Sequence, residues 1–237
     1  MENNLETNMS TITDRDELQW EIVPRNIAAA TEVIDFIVQS YEGIYLKKGE
    51  PVEDTLIKKH LEEGATTFAI RFQGSLVGTM TLFEGPRNDF STHRYSVRDA
   101  DLDELGRNGS IEKVGDFATI RPDSLVALEK RLGCKVPEKK IPLLLMQLAF
   151  YHTLKQGIRY ACLNVREKHA TTYAKGFGFS KIGKPHTTSM QGASIPTTEV
   201  FLVLDFNQVR VLKENGGEMS FLMKIVLQDP PPETPSL

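Results

Sequence analysis

The residues best suited to chemistry fall in two segments. The first is KRLGCKVPEKK, residues 130–140, which carries five basic groups against the single acid Glu138 in a chain of net charge −4. Lys139 and Lys140 stand just before a helix that the sequence opens near Ile141, where the positive end of the helix dipole makes cations unfavourable. A bound phosphate removes that conflict, because a helix N-terminus and lysines together attract anions. The competing reading is a solvated surface run of charge.

The second segment, CLNVREKHATTYAKGFGFS, presents Asn164, His169 and Tyr173. Asn164 follows a strand and either orients a ligand or holds a turn. His169 opens a short helix and serves either as a base or as a cap. Tyr173 either packs its ring on the sheet or acts as a donor, since a phenol of pKa near 10 stays protonated at neutral pH. Cys134 has no His-Asp arrangement to make it a nucleophile.

Composition narrows the function. The chain has 237 residues with 40% hydrophobic and 25% charged, the balance of a globular protein. A net charge of −4 argues against nucleic acid as a partner. The two cysteines and five histidines lie at no spacing suited to zinc or to a disulfide framework, so no metal is expected. The opening MENNLETNMSTITDRD lacks the apolar run of a signal peptide, which makes the cytoplasm the expected location. The longest apolar stretch, residues 141–151, falls short of the roughly 20 residues that a membrane span needs.

The elements that must position these residues follow from periodicity. A strand over residues 18–23 ends at Pro24, and apolar residues at three- and four-residue intervals predict a helix over 27–45. A second helix is expected over 52–62, opened by Pro51 and closed by Gly64. TTFAIRFQGSLVGTMTLFEG reads as a hairpin about Gln73, Gly74 and Ser75. Residues 85–110 form a polar insertion over the sheet, with a helix near 99–106. A strand over 113–120 is broken by Arg121-Pro122. Then come a buried helix over 141–156, a strand over 159–165, a short helix over 168–176 and a strand over 199–206. Beyond Asn207 the sequence permits a hairpin about residues 215–217 or two short helices, before the Pro-rich tail DPPPETPSL. The expected organisation is a disordered N-terminus over 1–16, one domain over 17–206 and a C-terminal extension over 207–237.

This order of elements, together with Asn164, His169, Ala170, Tyr173, Gly178 and Phe179 in CLNVREKHATTYAKGFGFSKIGKPH, resembles the GNAT superfamily of acyltransferases. MQGASIPTTEVFLVLDF and DLDELGRNGSIEKVGDFATI are similar to its N-acyl amino acid synthase branch, and the likeness spans roughly residues 18–206. The resemblance implies an α/β (α+β) fold with a mixed central sheet flanked by helices. It implies an N-acyltransferase that moves a fatty acyl group from an acyl carrier protein or coenzyme A thioester to the amine of an amino acid, without a metal.

Residue by residue, the resemblance implies that Phe117, Ala118, Thr119 and Ile120 receive the pantetheine arm through their main chain. Arg131, Gly133 and Lys135 fall where relatives carry a pyrophosphate loop, and Lys139 and Lys140 complete the anion site. Tyr173 matches the phenol offered to the leaving thiolate, with His169 and Asn164 beside it. Met146, Leu145, Phe150 and Phe117 are candidates for the acyl tunnel, weighed against ordinary core.

Acyl-homoserine-lactone synthases share the layout and carry a Glu-Val-Ser-Arg type motif, where this chain reads Lys113-Val114-Gly115-Asp116. The exchanged signs suit a structural ion pair that has lost a catalytic carboxylate. Glu112 stands one residue away, but strand alternation turns it to the opposite face. An autoinducer synthase and a non-catalytic binding module for an acyl carrier or acyl metabolite are the alternatives.

Overall fold

The computed structural model describes residues 18–49, 58, 60–84, 99–188 and 195–214. Seven strands make one mixed sheet: β1 (Leu18–Ile22), β2 (Ala65–Phe72), β3 (Ser75–Glu84), β4 (Ile111–Thr119), β5 (Tyr160–Arg166), β6 (Ser180–Thr188) and β7 (Thr197–Asp205). Their spatial order is β1-β2-β3-β4-β5-β7-β6. Every neighbouring pair is antiparallel except β4 and β5, which run parallel. The helices are α1 (Ile27–Tyr41), α2 (Asp99–Asn108), α3 (Pro122–Leu132), α4 (Lys140–Lys155), α5 (Glu167–Phe177) and α6 (Phe206–Glu214).

The sheet is covered on both faces. On one face α3, α4, α5 and α6 pack over Phe72, Met80, Leu82 and Leu202, with Leu145 and Phe150 of α4 at the centre. On the other, Leu102 of α2 packs with Ile111, Cys162 and Phe201, and Val33 and Ile37 of α1 pack on Ala118. Burial of each such side chain contributes about 1.5–3 kcal/mol before conformational entropy is counted. Two glycines let the layers approach. A Cβ on Gly78 of β3 would lie 2.5 Å from Cγ2 of Ile141, so a side chain there would push α4 off the sheet. Gly74 closes the β2–β3 turn, where Gln73 and Gly74 take φ of 48° and 77°, the two left-handed residues of a type I′ hairpin.

The hairpin, the buried helix and the strands beside it match expectation. Other boundaries differ for local reasons. α1 stops at Tyr41 rather than continuing to Tyr45, because Gly43 takes φ of 75° and the Tyr41 carbonyl accepts three successive amides, from Ile44, Tyr45 and Leu46. Pro122 opens a helix rather than merely breaking the chain: it sits in the first turn of α3, Asp123 complements the dipole, Leu125 and Leu128 face the core, and Gly133 caps the end at φ 71°. β6 is a strand that periodicity did not isolate. In α6, Phe206 and Val209 join the main core.

The expected N-terminal segment 1–16, the tail beyond 214 and most of the insertion before Asp99 lie outside the described residues. So does most of the helix over 52–62, of which Lys58, His60 and Leu61 are helical. Among the described residues no helix is long and apolar enough to cross a membrane.

Candidate active site

The site arises where the parallel pair opens. β4 and β5 are in register only from Ile111 opposite Tyr160 to Val114 opposite Leu163. Just beyond, β4 carries a bulge: Met80 of β3 pairs with Phe117 and Leu82 with Val114, so Gly115 and Asp116 together face Thr81 alone. A bulge bends and twists its strand, here away from β5. Gly115 is required at that bend, since a Cβ would stand 2.2 Å from the Phe83 ring.

The two strands then enclose a cleft of about 540 Å³ with α4 and α5. Its walls are mostly apolar: Val114, Phe117, Leu143, Met146, Leu163, Val165 and Phe177, with Ile44 from the segment after α1. Of the four side chains expected along an acyl tunnel, Phe117 and Met146 line it. Leu145 and Phe150 are instead wholly buried in the core, because the helical period turns them to the sheet.

Phe117, Ala118, Thr119 and Ile120 all border the cleft, yet their backbones divide. Ile120 donates its amide to the Val77 carbonyl at 2.9 Å, and Thr119 sits opposite Gly78. By antiparallel alternation Ala118 and Ile120 bond to β3, while Phe117 and Thr119 turn their N–H and C=O groups toward the cleft. The Phe117 carbonyl accepts from the Tyr41 hydroxyl at 3.2 Å. Two backbone amides therefore point into an apolar space.

Tyr173, His169 and Asn164 also line the cleft. Tyr173 packs against Phe177 and Phe179 at centroid distances of 6.0 and 6.2 Å, and burial raises its pKa. The packed ring thus presents a phenol that keeps its proton. His169 receives Nη2 of Arg166 at 3.2 Å on its Nε2. A guanidinium can only donate, so that nitrogen is an occupied acceptor, and burial together with Arg166 and Lys168 lowers the imidazole pKa. Both polar atoms of Asn164 are buried without a protein partner, an arrangement that costs about 1–3 kcal/mol per group when nothing satisfies it.

Two further residues, Tyr45 and Arg166, complete this wall and a third, Glu199, stands beside them, and sequence reasoning passed over all of them. Tyr45, read as part of a helical face, leaves α1 after the Gly43 turn and lines the cleft, held by the Ile195 amide on its carbonyl at 3.1 Å. Its pKa is pushed up to about 12, by burial and by the carboxylate of Glu199 to which it is hydrogen-bonded. Glu199 of β7 sits directly opposite Arg166 of β5 and is only 3% exposed. Burial raises its pKa, against the opposing pull of Lys113, Tyr45 and Arg166. The signal for Glu199 and Arg166 was an acid and a base within otherwise apolar strands, but only the β5–β7 register puts them side by side.

The basic segment lies elsewhere. Arg131 donates to Oγ of Ser75 at 2.8 Å, Lys135 pairs with Glu129 at 2.6 Å, and Gly133 caps α3. Lys139 and Lys140 are exposed, and none of these five borders the cleft. The tip of α4 also has few amides to offer. The Lys140 amide donates to Pro137, that of Ile141 to Glu138, and Pro142 has none.

Lys113 and Asp116 find separate roles. Asp116 accepts from Nε2 of His60 at 3.1 Å, and the other His60 nitrogen meets the hydroxyls of Thr67 and Thr81. This buried network ties the bulge to the segment before β2. Lys113 acts on Glu199. Glu112, on the opposite face as alternation requires, accepts from Thr153 of α4. Burial, opposed by Thr153 and reinforced by Glu84, pushes its pKa to about 7. Among the described residues no group of acids, histidines and cysteines is arranged to hold a metal ion.

A parallel strand pair that opens past a bulge, with backbone amides on one wall and a protonated phenol on the other, defines an acyltransferase of the GNAT class. Residues 39–197 match the sequence profile of the N-acyl amino acid synthase FeeM family, and the chain belongs to that family. It is an N-acyltransferase.

Solved structures agree on the fold. FeeM, an N-acyl amino acid synthase from uncultured soil microbes, is 18% identical, with 84% of this chain and 99% of that one covered and a TM-score of 0.63. The polyamine N-acetyltransferase of Drosophila melanogaster, which forms N-acetylagmatine, is 10% identical over 80% of this chain and 100% of its own, at TM-score 0.54. BjaI, a CoA-dependent acyl-homoserine lactone synthase solved with SAM and isopentyl-CoA, is 14% identical over 90% and 100%, at TM-score 0.50. No curated protein sequence matches.

Proposed function

We propose that this enzyme transfers a fatty acyl group from a phosphopantetheine thioester, carried by coenzyme A or an acyl carrier protein, to the amine of an amino acid. The observation that carries this reading is the mostly apolar cleft between β4 and β5, with the backbones of Phe117 and Thr119 directed into it. A pantetheine arm is a chain of amides and fits beside such an unzipped strand edge, and an acyl chain fits the apolar remainder. Membership of the N-acyl amino acid synthase family supports the amino acid as acceptor.

The reaction then runs by direct attack. The neutral amine adds to the thioester carbonyl, and the negative charge that develops on oxygen is met by backbone amide donors on the β4 side. Collapse expels a thiolate, which takes the Tyr173 proton, and the attacking nitrogen gives its surplus proton to the Tyr173 phenolate to leave a neutral amide. Burial, which raises the Tyr173 pKa, keeps that proton in place until the thiolate forms. For the donor, the exposed basic run between α3 and α4 suits the acidic face of a carrier protein.

Purified enzyme incubated with acyl-coenzyme A or acyl carrier protein of several chain lengths and a panel of amino acids is expected to release thiol and yield N-acyl amino acids by mass spectrometry. Thiol release at the background rate across the whole panel would remove this reading.

A further inference from the structure

The charge pattern of the cleft wall is that of a site for a zwitterion. Two arginines border the cleft, Arg121 and Arg166. Arg121 is committed: Nε and Nη2 bond the two oxygens of Asp123, and Nη1 donates to the Glu42 carbonyl at 3.0 Å. Arg166 donates to His169 through Nη2 and stands 6.0 Å above the Tyr45 ring. Glu199 stands directly opposite on β7, and among the described residues the one hydrogen bond of the guanidinium goes to His169, which leaves its other edge for a ligand. A planar fork beside an apolar cavity is the group best shaped for a carboxylate. Asn164 lies two residues back on the same strand face, with a donor and an acceptor that no protein group satisfies.

The other end of a zwitterion also has its counterpart. Tyr45 donates a hydrogen bond to Glu199, which leaves the phenol oxygen as an acceptor at the cleft surface. Tyr173 lines the same cleft. An amine between them meets an acceptor on one side and the proton destined for the thiolate on the other.

Resting on the amino acid acceptor proposed above, we infer that Arg166 binds the acceptor's α-carboxylate, so that the amine is held at the Tyr45–Glu199 pair and the enzyme selects α-amino acids over simple amines. In the proton step, an ammonium N–H proton passes to the Tyr45 oxygen as the Tyr45 proton passes to Glu199. The neutral amine then forms its bond to the acyl carbon as the carbon–sulfur bond breaks, the thiolate leaves with the Tyr173 proton, and the nitrogen's surplus proton passes to the Tyr173 phenolate. Glu199 acts through Tyr45 and is a positioning residue.

The test pairs L-amino acids with their decarboxylated amines, such as phenylalanine with phenethylamine, against wild type, Arg166→Gln and Arg166→Lys. The Gln variant is expected to lose about 30-fold or more in kcat/KM for the amino acid, the scale of removing one partner of a buried charge pair, and less than about 3-fold for the amine. Lys should recover part of the loss for the amino acid alone. Equal losses for both acceptors, no loss for either, or a wild type that prefers the amine would overturn the inference while leaving the acyltransfer reading intact. If wild type turns over neither acceptor, acyltransfer is the reading that fails, and calorimetry still decides this one. N-dodecanoylphenylalanine should bind wild type at least 10-fold more tightly than N-phenethyldodecanamide, and that preference should vanish in Arg166→Gln. Equal binding of the two probes by wild type would refute the carboxylate anchor.

Discussion

From Ile111 to Val114, β4 lies against β5 as a parallel ladder, with Ile111, Tyr160 and Cys162 packed on one face and the buried acid Glu112 tied to Thr153 on the other. From Gly115 onward the same two strands separate, and the wall becomes Asn164, Arg166 and Tyr45 amid the apolar cleft, with Glu199 opposite Arg166 on β7. The zipped half satisfies its backbone internally and serves packing. The open half directs backbone amides and the polar groups of Asn164, Arg166 and Tyr173 into the cleft. One bulge separates the two, so stability and chemistry meet at Gly115 and Asp116, where His60 buttresses the bend.

The contrast can be broken or sharpened experimentally. The largest effect is expected in the open half: Tyr173→Phe should lower kcat by about 100-fold or more, the usual scale for a general acid. Its melting temperature should stay near that of wild type, since the ring packing is preserved. Steady-state kinetics with one acyl donor checks this, and an unchanged kcat would reduce Tyr173 to a packing residue.

At the boundary, Gly115→Ala forces a Cβ onto Phe83 and should cost about 1–3 kcal/mol, as overpacking does. Urea denaturation measures it, and activity should fall as the bend relaxes. A neutral result would show that the strand bends without needing a glycine.

The zipped half offers a smaller, pH-dependent effect. Burial pushes the Glu112 carboxyl up to about 7 from its ordinary 4.5. A raised acid favours the folded state below pH 4.5 and loses that contribution as pH rises through about 7. Glu112→Gln has no charge to bury. It should therefore exceed wild type in stability at pH 8, by on the order of 1 kcal/mol, and the gap should close toward pH 4.5. Parallel melting curves across that range, if superimposable at all pH values, would remove the burial penalty.

The smallest effect belongs outside both halves. Lys139→Glu with Lys140→Glu should raise stability by about 0.3–1 kcal/mol per residue through the helix dipole. The same double variant should raise KM several-fold for a carrier-protein donor while leaving an acyl-pantetheine donor unaffected. Equal KM values for the carrier would take the helix tip out of donor recognition.

Much of the frame was legible in the chain. Alternation marked the β2–β3 hairpin, a continuous apolar surface marked α4, and the run from Asn164 to Phe179 marked the β5–α5 unit with Tyr173 upon it. Glu112 was correctly placed on the face away from Lys113, because a strand period of two leaves no other choice. Local signals failed where a single residue redirected the chain. Gly43 ended α1 and turned Tyr45 from an apparent core position into the cleft. Pro122 was read as a breaker although its place just inside a helix start is among its commonest. The basic run was conspicuous in sequence and yet lies away from the cleft, since charge in a sequence carries no direction.

What the sequence determined alone was most of the elements and their buried faces, though neither α3 nor β6, because period and turn chemistry act over a few residues. The bulge could not be read there, since it exists only where β3 and β4 pair out of step. Nor could the cluster of Tyr45, Arg166 and Glu199, whose members come from three separate parts of the chain. Their meeting depends on how β7 inserts between β5 and β6, and long-range register is set by the packing of the whole sheet.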